Sequence, residues 1–415
     1  MRILILLIVA AIAICGINLP AAADWEIIPS GTTADLNDFG YVAFNATYWI
    51  AGDGGTLLAS SDNGESWAGQ ASGTSADLRS THIPASSQFW LAGSDGTVLI
   101  SIDNGMNWIT RSVPDGTANL RTLFSRGSGV GYAVGDQGKI FYSANMAVDW
   151  ETQSSGTSAN LLAGIGPTSG TSNVALVAGE GGVMLKTIDA GANWYPIDTG
   201  TTADILGFGF GPGALYAVGG GGMILRSTDS GENWTAMPSP VSTALHAINA
   251  SGQNSNYMVA CGAGGRLIKS TDGGLTWNQQ HSPTTAGLHA IRALTNNLYL
   301  ACGADGIIIR TTDGGGMVVG VEDDLPAAEG LTFLSIQPNP FNPQTVIRFE
   351  LPRPGAVRLD VFDVAGRRVA LLADGILAAG DHRVTFVADG LASGVYTCRL
   401  SAPGSTVSET MLLLK

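Results

Sequence analysis

The chain has 415 residues, of which 57 are glycine and only 13% are charged, and its formal net charge is -14. No Lys or Arg occurs between Arg2 and Arg79, so the basic surface that nucleic acid or anionic lipid requires is missing. Glycine is about twice as frequent as in an ordinary protein and lacks a three-residue period, which excludes a collagen-like chain and points to many tight turns.

The first element is an export leader. Arg2 precedes an almost wholly apolar run from Ile3 to Ile17, and Leu19-Pro20-Ala21-Ala22-Ala23 offers small residues for cleavage, so residues 1–23 read as a signal peptide and Asp24 as the mature start. The run is too short for a comfortable membrane span, and no later segment is long and apolar enough to cross. Cys15 raises a lipoprotein reading, against which Ile14 stands where a small residue would be needed.

A repeat fills residues 24–316. Trp25, Trp67, Trp108, Trp150, Trp194, Trp234 and Trp277 recur at intervals of roughly 42 residues, the length of a four-stranded propeller blade. Six of these Trp close the pattern Ser/Thr-x-Asp-x-Gly-x-x-Trp. It is complete at Asp62, Asp103, Asp189, Asp229 and Asp272, and it is decayed before Trp150, where Asn145 and Ala147 replace Asp and Gly. A seventh copy at Thr311-Asp313-Gly315 has no Trp after it, whereas Trp25 has no copy before it. The Asp can accept backbone N–H groups across a hairpin turn, the Gly supplies a positive φ, and the Trp packs beside the turn. All three are expected to be structural. Each copy follows an apolar strand and a Gly-rich turn, as in Ile50-Ala51-Gly52-Asp53-Gly54-Gly55-Thr56-Leu57, a hairpin signal. The expected fold is all-β: a seven-bladed β-propeller in which Asp24 to Pro29 supplies the outer strand of the last blade.

These boxes resemble the Asp-box, or bacterial neuraminidase, repeat, and the longer phrase Gly-x-x-Gly-x-Ile/Leu-x-x-Ser/Thr-x-Asp-x-Gly-x-x-Trp is similar to the photosystem II stability and assembly factor family. The resemblance implies the propeller and leaves activity open, because Asp boxes occur in enzymes and binding proteins alike. A sialidase of this repeat class would need an arginine triad whose first member lies early, and no Arg stands between positions 2 and 79. A glycosidase needs two carboxylates about the scissile bond. Outside the boxes the candidates are Asp53, Asp95, Asp136, Glu180 and Asp305, all in Gly-rich turns, where they read as turn residues. No Gly-x-Ser-x-Gly, Cys-x-x-Cys, His-Glu-x-x-His or P-loop is present, and His82, His246, His281, His289 and His382 show no metal-ligand spacing. No catalytic residue, metal or cofactor is therefore expected. Cys261 and Cys302 hold the same repeat position, read as a small buried residue, with a bond between neighbouring blades as the other reading.

One repeat position varies in chemistry. After the residue opening the inner strand come Asn37, Arg79, Arg121, Leu162, Leu206, His246 and His289. Equivalent positions of a propeller form a ring, so Asn37, Arg79, Arg121, His246 and His289 are the candidate ligand-binding residues, forming a polar and basic rim at the central channel.

An acidic, Pro- and Ala-bearing linker is expected at 317–331. Residues 332–415 then show some seven alternating strands, suited to a small Ig-like β-sandwich. The motifs Pro338-Asn339-Pro340-Phe341-Asn342-Pro343, Asp363-Val364-Ala365-Gly366-Arg367-Arg368, Ala379-Gly380-Asp381-His382 and Ala392-Ser393-Gly394-Val395-Tyr396 closely resemble the C-terminal sorting domain of type IX secretion cargo. That resemblance implies passage through the periplasm, a partner in the outer-membrane secretion machinery, and a secreted or cell-surface location. Phe386-Val387-Ala388-Asp389-Gly390 departs from the usual Trp-Asp-Gly run. The leading expectation is an exported, non-catalytic propeller binding a protein or glycan. A sialidase-like glycoside hydrolase is the alternative. An assembly factor for a membrane complex is a third reading, against which the outward sorting signal argues.

Overall fold

The computed structural model describes residues 25–315 and 332–415, apart from short interruptions at 43–45, 86–87, 127–128, 167–172, 253–254, 352–354, 365–366, 378–379 and 403–404. The expected leader with Cys15, Asp24 and the linker at 317–331 lie outside the described residues. The chain divides into two compact units that part between residues 317 and 318.

The first unit holds seven four-stranded antiparallel sheets among the described residues. Blade 1 runs through Leu36–Val42, Thr47–Gly52, Leu57–Ser60 and Ala68–Gly69, and blades 2 to 6 repeat that meander, their inner strands being Leu78–Ala85, Leu120–Arg126, Leu161–Ile165, Ile205–Gly211 and Leu245–Ala250. Blade 7 has Leu288–Ala293, Tyr299–Gly303 and Ile308–Thr311, and its fourth strand is Glu26–Ile28 from the start of the chain. Glu26 pairs with Arg310, Ile27 with Ile309 and Ile28 with Ile308.

The second strand of each blade is an unbroken apolar run because both its faces are covered. In blade 1, Tyr48 and Ile50 enter a core shared with blade 7, while Trp49 and Ala51 enter one shared with blade 2. One hydrophobic cluster fills each of the seven interfaces between consecutive blades, the last joining Leu300, Cys302 and Ile308 to Leu36, Phe39 and Ile50. The N-terminal strand serves two of them, since Trp25 packs between blades 6 and 7 and Ile28 between blades 7 and 1. The buried Arg310 guanidinium staples this closure, donating to Glu26, Glu65 and the Asn63 carbonyl at 3.0–3.1 Å.

Cys261 and Cys302 are buried and free. Equivalent positions face equivalent interfaces, so Cys261 points toward blade 7 and Cys302 toward blade 1. The reading as small buried residues stands, and the bond between blades does not form.

The boxes work as hydrogen-bonded turns. Ser60 Oγ donates to Asp62 Oδ1 at 2.7 Å and accepts from Gly64 N at 3.0 Å, while Asp62 accepts from Ser66 N at 3.0 Å. The pattern recurs at Asp103, Asp189, Asp229 and Asp272, and Thr311 donates to Asp313 in the seventh box. The Gly is needed for shape as well as for φ: at Gly105, with φ +83°, a Cβ would stand 2.5 Å from the Trp49 ring of the preceding blade. In the decayed box Ala147 itself takes φ +62°. There Asn145 Oδ1 accepts from Asp149 N while its amide donates to the Asp149 carboxylate, so the acid has moved four residues along the same turn. The Trp side chains are less uniform than the repeat suggests. Trp25, Trp150, Trp194 and Trp277 are buried, whereas Trp67, Trp108 and Trp234 are half-buried.

The second unit sets a three-stranded sheet (Thr332–Gln337, Gln344–Leu351, Gly380–Val387) and a four-stranded one (Arg368–Leu377, Gly355–Phe362, Gly394–Ala402, Ser405–Leu413) around one core. Alternation along Gln344–Leu351 turns Thr345, Ile347, Phe349 and Leu351 inward. The Pro-Asn-Pro-Phe segment is sewn to the last strand. Phe341 N donates to Leu412 O at 2.9 Å, Leu414 N to Phe341 O at 3.0 Å, and Asn339 both donates to Thr410 O and accepts from Leu412 N. Phe386, at the departure from the usual motif, is buried against Phe341 with ring centroids 5.8 Å apart, and Gly390 turns the chain at φ +76°. Tyr396 Oη donates to Ala392 O at 2.7 Å across the corner before its strand.

Deleting residues 25–29 exposes two of the seven cores and leaves Arg310 without Glu26. The propeller's thermal midpoint should fall far more than after trimming an ordinary terminus, and an unchanged midpoint would contradict the closure. In the second unit, Phe341→Ala should cost about 3–5 kcal/mol, read as a lowered midpoint in chemical denaturation of the full chain.

Candidate functional site

Each inner strand opens on a fully buried Leu or Ile: Leu36, Leu78, Leu120, Leu161, Ile205, Leu245 and Leu288. The residue that follows is skipped by the ladder in every blade, because the register shifts between the opening residue and the one two places on. Such a bulge leaves one residue unpaired and re-aims its side chain. The seven bulged residues are Asn37, Arg79, Arg121, Leu162, Leu206, His246 and His289, and all of them line one central cavity of about 970 Å³. The position that varies most in chemistry is the one the backbone frees from pairing.

The polar members also have partners within the protein. Asn37 Nδ2 donates to Leu78 O of the next blade at 2.9 Å and to Asp53 Oδ1 at 2.8 Å. The imidazoles behave alike: His246 Nδ1 meets Leu288 O at 2.8 Å, and His289 Nδ1 meets Leu36 O at 3.2 Å. In each case the bulged side chain reaches the carbonyl of the next blade's opening residue, so these three are latches between blades as well as rim residues. Arg121 makes a two-pronged pair with Asp136 at 2.7 and 3.0 Å, and Arg79 pairs with Asp77 at 2.9 Å. The hydrogen bond to Asp136 raises the Arg121 pKa. Burial works against the Asp136 charge and is outweighed by hydrogen bonds from Arg121 and Asn119, so its pKa is lowered. The rim is therefore polar as expected but not simply basic, since each guanidinium carries its own carboxylate.

The Gly-rich turns account for the remaining acidic candidates. Asp95 and Asp305 occupy positive φ, Asp53 and Asp136 hold Asn37 and Arg121, and Glu180 accepts from Asn160 Nδ2 at 2.9 Å. None of the five lines the cavity.

Three polar residues deeper in the channel escape a reading confined to the rim. Asp38 accepts from Thr81 N at 2.7 Å and Phe39 N at 2.8 Å, tying blade 1 to blade 2. Burial raises its pKa against those bonds. Arg292 pairs with Leu300 in the ladder, and its guanidinium makes no hydrogen bond or ion pair with a described residue. Burial lowers its pKa, with the Asp38 charge acting in the other direction. It lines both the central cavity and an adjoining one of about 430 Å³ with Tyr41, Phe210 and Asn249. His82 Nε2 lies 2.6 Å from Ser125 Oγ of the next blade. Aligning the seven inner strands would have exposed Asp38 and Arg292, since their counterparts in other blades are mostly small or apolar: Ala163, Gly207, Ala247 and Ala290 for Asp38, and Gly40, Phe124, Ile165 and Gly209 for Arg292.

Residues 140–312 match the family described as photosynthesis system II assembly factor YCF48, and residues 335–413 match the secretion system C-terminal sorting domain. No curated protein is significantly similar to the chain. Among solved structures it is similar to YCF48 bound to D1 peptide, at 21% identity and a TM-score of 0.58, covering 71% of this chain and 99% of that one. It is also similar to YCF48 from Cyanidioschyzon merolae, at 19% identity and a TM-score of 0.57, covering 70% and 98%. A streptogramin B lyase shares the architecture at 13% identity and a TM-score of 0.58, covering 70% and 97%. At these identities the likeness speaks to the fold alone. The chain thus joins an Asp-box propeller, similar to the photosystem II assembly factor family, to a type IX secretion sorting domain, the make-up of a secreted or cell-surface protein.

Burial, and then the Arg292 charge, push the His82 pKa down from 6.5 to about 4. Between those values the unfolded chain takes up a proton that the folded channel refuses, so stability is lost as pH falls below 6.5. The loss should be on the order of 1–3 kcal/mol after solvent screening. Denaturant midpoints at pH 7 and pH 4.5 should therefore differ less in His82→Gln than in the natural protein.

Proposed function

We propose that the protein is an exported, non-catalytic binding propeller that receives a segment of another protein at the rim formed by Asn37, Arg79, Arg121, His246 and His289. The observation that carries this reading is the sevenfold bulge, which turns one side chain per blade toward a single cavity while the surrounding sheets stay regular. A rigid scaffold presenting chemically varied side chains at one mouth is the usual build of a recognition site. The Asp77 and Asp136 carboxylates already hold the two arginines in place, so a carboxylate or amide of a ligand would meet preorganised donors. Similarity to a propeller whose structure holds a D1 peptide favours a protein ligand over a glycan, and the sorting domain supports an encounter outside the cytoplasm.

Glycoside hydrolysis finds less support. Two carboxylates roughly 5–10 Å apart would have to flank a sugar, and Asp38 is the single carboxylate among the described residues lining the cavity. Its hydrogen bonds from Thr81 and Phe39 make it a structural tie between blades.

The test is a binding screen of the full chain against surface proteins, peptides and glycans, with a sialidase assay alongside. For the ligand found, Arg79→Gln combined with Arg121→Gln should weaken binding at least tenfold while the thermal midpoint stays within a few degrees. Unchanged affinity would remove the rim from the site, and sugar turnover would replace binding with catalysis.

A further inference from the structure

The rim arginines carry Asp77 and Asp136 as partners, whereas the guanidinium of Arg292, deeper in the channel, is bonded to no described residue. Asp38, the carboxylate lining the same cavity, is already engaged. Its Oδ1 accepts from Phe39 N, and its Oδ2 from Thr81 N and from the Ser80 and Thr81 hydroxyls. Asp38 therefore acts on Arg292 through its charge alone. We infer that Arg292, with the Asn249 amide beside it, is a recognition site for a single carboxylate group whose apolar body lies against Phe210.

The repeat explains how the site arises. Arg292 and Asn249 stand at the same phase of the inner strands of blades 7 and 6, each four residues after the opening leucine. On either side of them, in blades 1 and 5, that phase holds Gly40 and Gly209, so the two donors are flanked by positions without a side chain. Asn249 is oriented by the strand that carries Arg292: Ala293 N donates to Asn249 Oδ1 at 3.0 Å. The amide oxygen is thereby fixed, and Nδ2 is left without a hydrogen bond to a described residue. Arg292, Asn249 and Phe210 are shared by the linings of the central cavity and the adjoining one of about 430 Å³. Fork, amide and ring thus meet where the two spaces join.

Two conditions of a ligand site hold at Arg292 together. Burial lowers its pKa, so the guanidinium has lost much of its water, yet the side chain is only half-buried and the channel reaches it. An unpaired charge withdrawn from water is costly, and an incoming anion offsets that cost. The planar guanidinium matches the two oxygens of a carboxylate with parallel N–H···O bonds. A phosphate would bring a second charge, and the other two arginines of the cavity already have carboxylate partners. The carboxylate can belong to a free small acid or to an acidic side chain of a docked protein segment. The inference does not rest on the rim reading, because the free acid can be offered by itself.

The experiment titrates full-length protein, by calorimetry and ligand-observed nuclear magnetic resonance, with two matched pairs of probes. One pair is sodium benzoate and uncharged benzamide. The other is a terminally blocked Gly-Gly-Asp-Gly-Gly peptide and its Gly-Gly-Asn-Gly-Gly counterpart. A carboxylate probe should bind once per chain in the millimolar range, the order that so small a ligand allows, and its amide counterpart at least tenfold more weakly. Benzoate alone assigns the site to a free acid, the Asp peptide alone to a protein side chain, and both to the shared group. Affinity should fall at least tenfold in Arg292→Gln. It should fall as far in Asn249→Asp, which keeps an acceptor for Ala293 N and replaces the donor by a second carboxylate. Arg111→Gln, on the outer strand of blade 2, should leave it unchanged. Thermal midpoints establish that the variants fold, and the comparison of acid with amide needs no variant. Three results would overturn the site: no binding of either carboxylate probe, equal binding of acid and amide, or unchanged affinity in folded Arg292→Gln. Failure of the rim reading is read separately, as unchanged affinity for the rim's ligand in the Arg79 and Arg121 variants, where Arg292 is intact.

Discussion

A blade of this propeller cannot be satisfied alone. Its second strand is apolar on both faces, so each sheet needs a neighbour on either side, and only a closed ring gives all seven sheets two neighbours. The contact that completes the circle is made by three residues at the start of the chain, Glu26, Ile27 and Ile28, against the third strand of the last blade. Trp25 and Ile28 extend the hydrophobic fill into both flanking interfaces, and Arg310 adds charged bonds across the seam. The other sheets are held in register by interfaces of the same kind, and the channel exists because the inner strands have nowhere else to converge.

Within that frame the Asp boxes and the rim have divided duties. The boxes are closed systems: Ser or Thr, Asp and the backbone of one turn satisfy each other, and the turn glycine leaves room for the blade before it. Their carboxylates are engaged by local donors, which lowers the pKa of Asp62, Asp103, Asp189, Asp229 and Asp272. That is the signature of structural acids rather than of groups poised for proton transfer. The bulged rim has the reverse character. Its backbone geometry is the same in all seven blades while its side chains range from Leu to Arg, and Asn37, His246 and His289 among them also tie one blade to the next.

Most of the architecture was legible in the sequence because the repeat states it seven times. The Trp spacing, the Gly turns and the mismatched ends at Trp25 and Thr311 led to the blade count and the closing strand. The rim was legible as a position, since Asn37, Arg79, Arg121, His246 and His289 fall at one phase of the repeat. Its chemistry was not. Arg79 pairs with Asp77 two residues before it, and Arg121 with Asp136 across the hairpin, and both contacts depend on where the bulge sends the side chain. The proximity of His246 to His289 is invisible to any local pattern. Asp38 and Arg292 were passed over because attention stayed on the rim, although each departs from the character of its own column in the repeat. The acid in the third box looked lost because Asn145 had replaced it, when it had moved to Asp149.

The pairing of residues 26–28 with 308–310 also orders events in time. The strand that emerges first has no partner until almost three hundred further residues have followed, so the seventh sheet cannot be finished while the chain is still being delivered. Until then two interfaces stay open and the molecule remains a curved, incomplete row of sheets. A chain built this way cannot close its ring until residues 308–310 are available to residues 26–28.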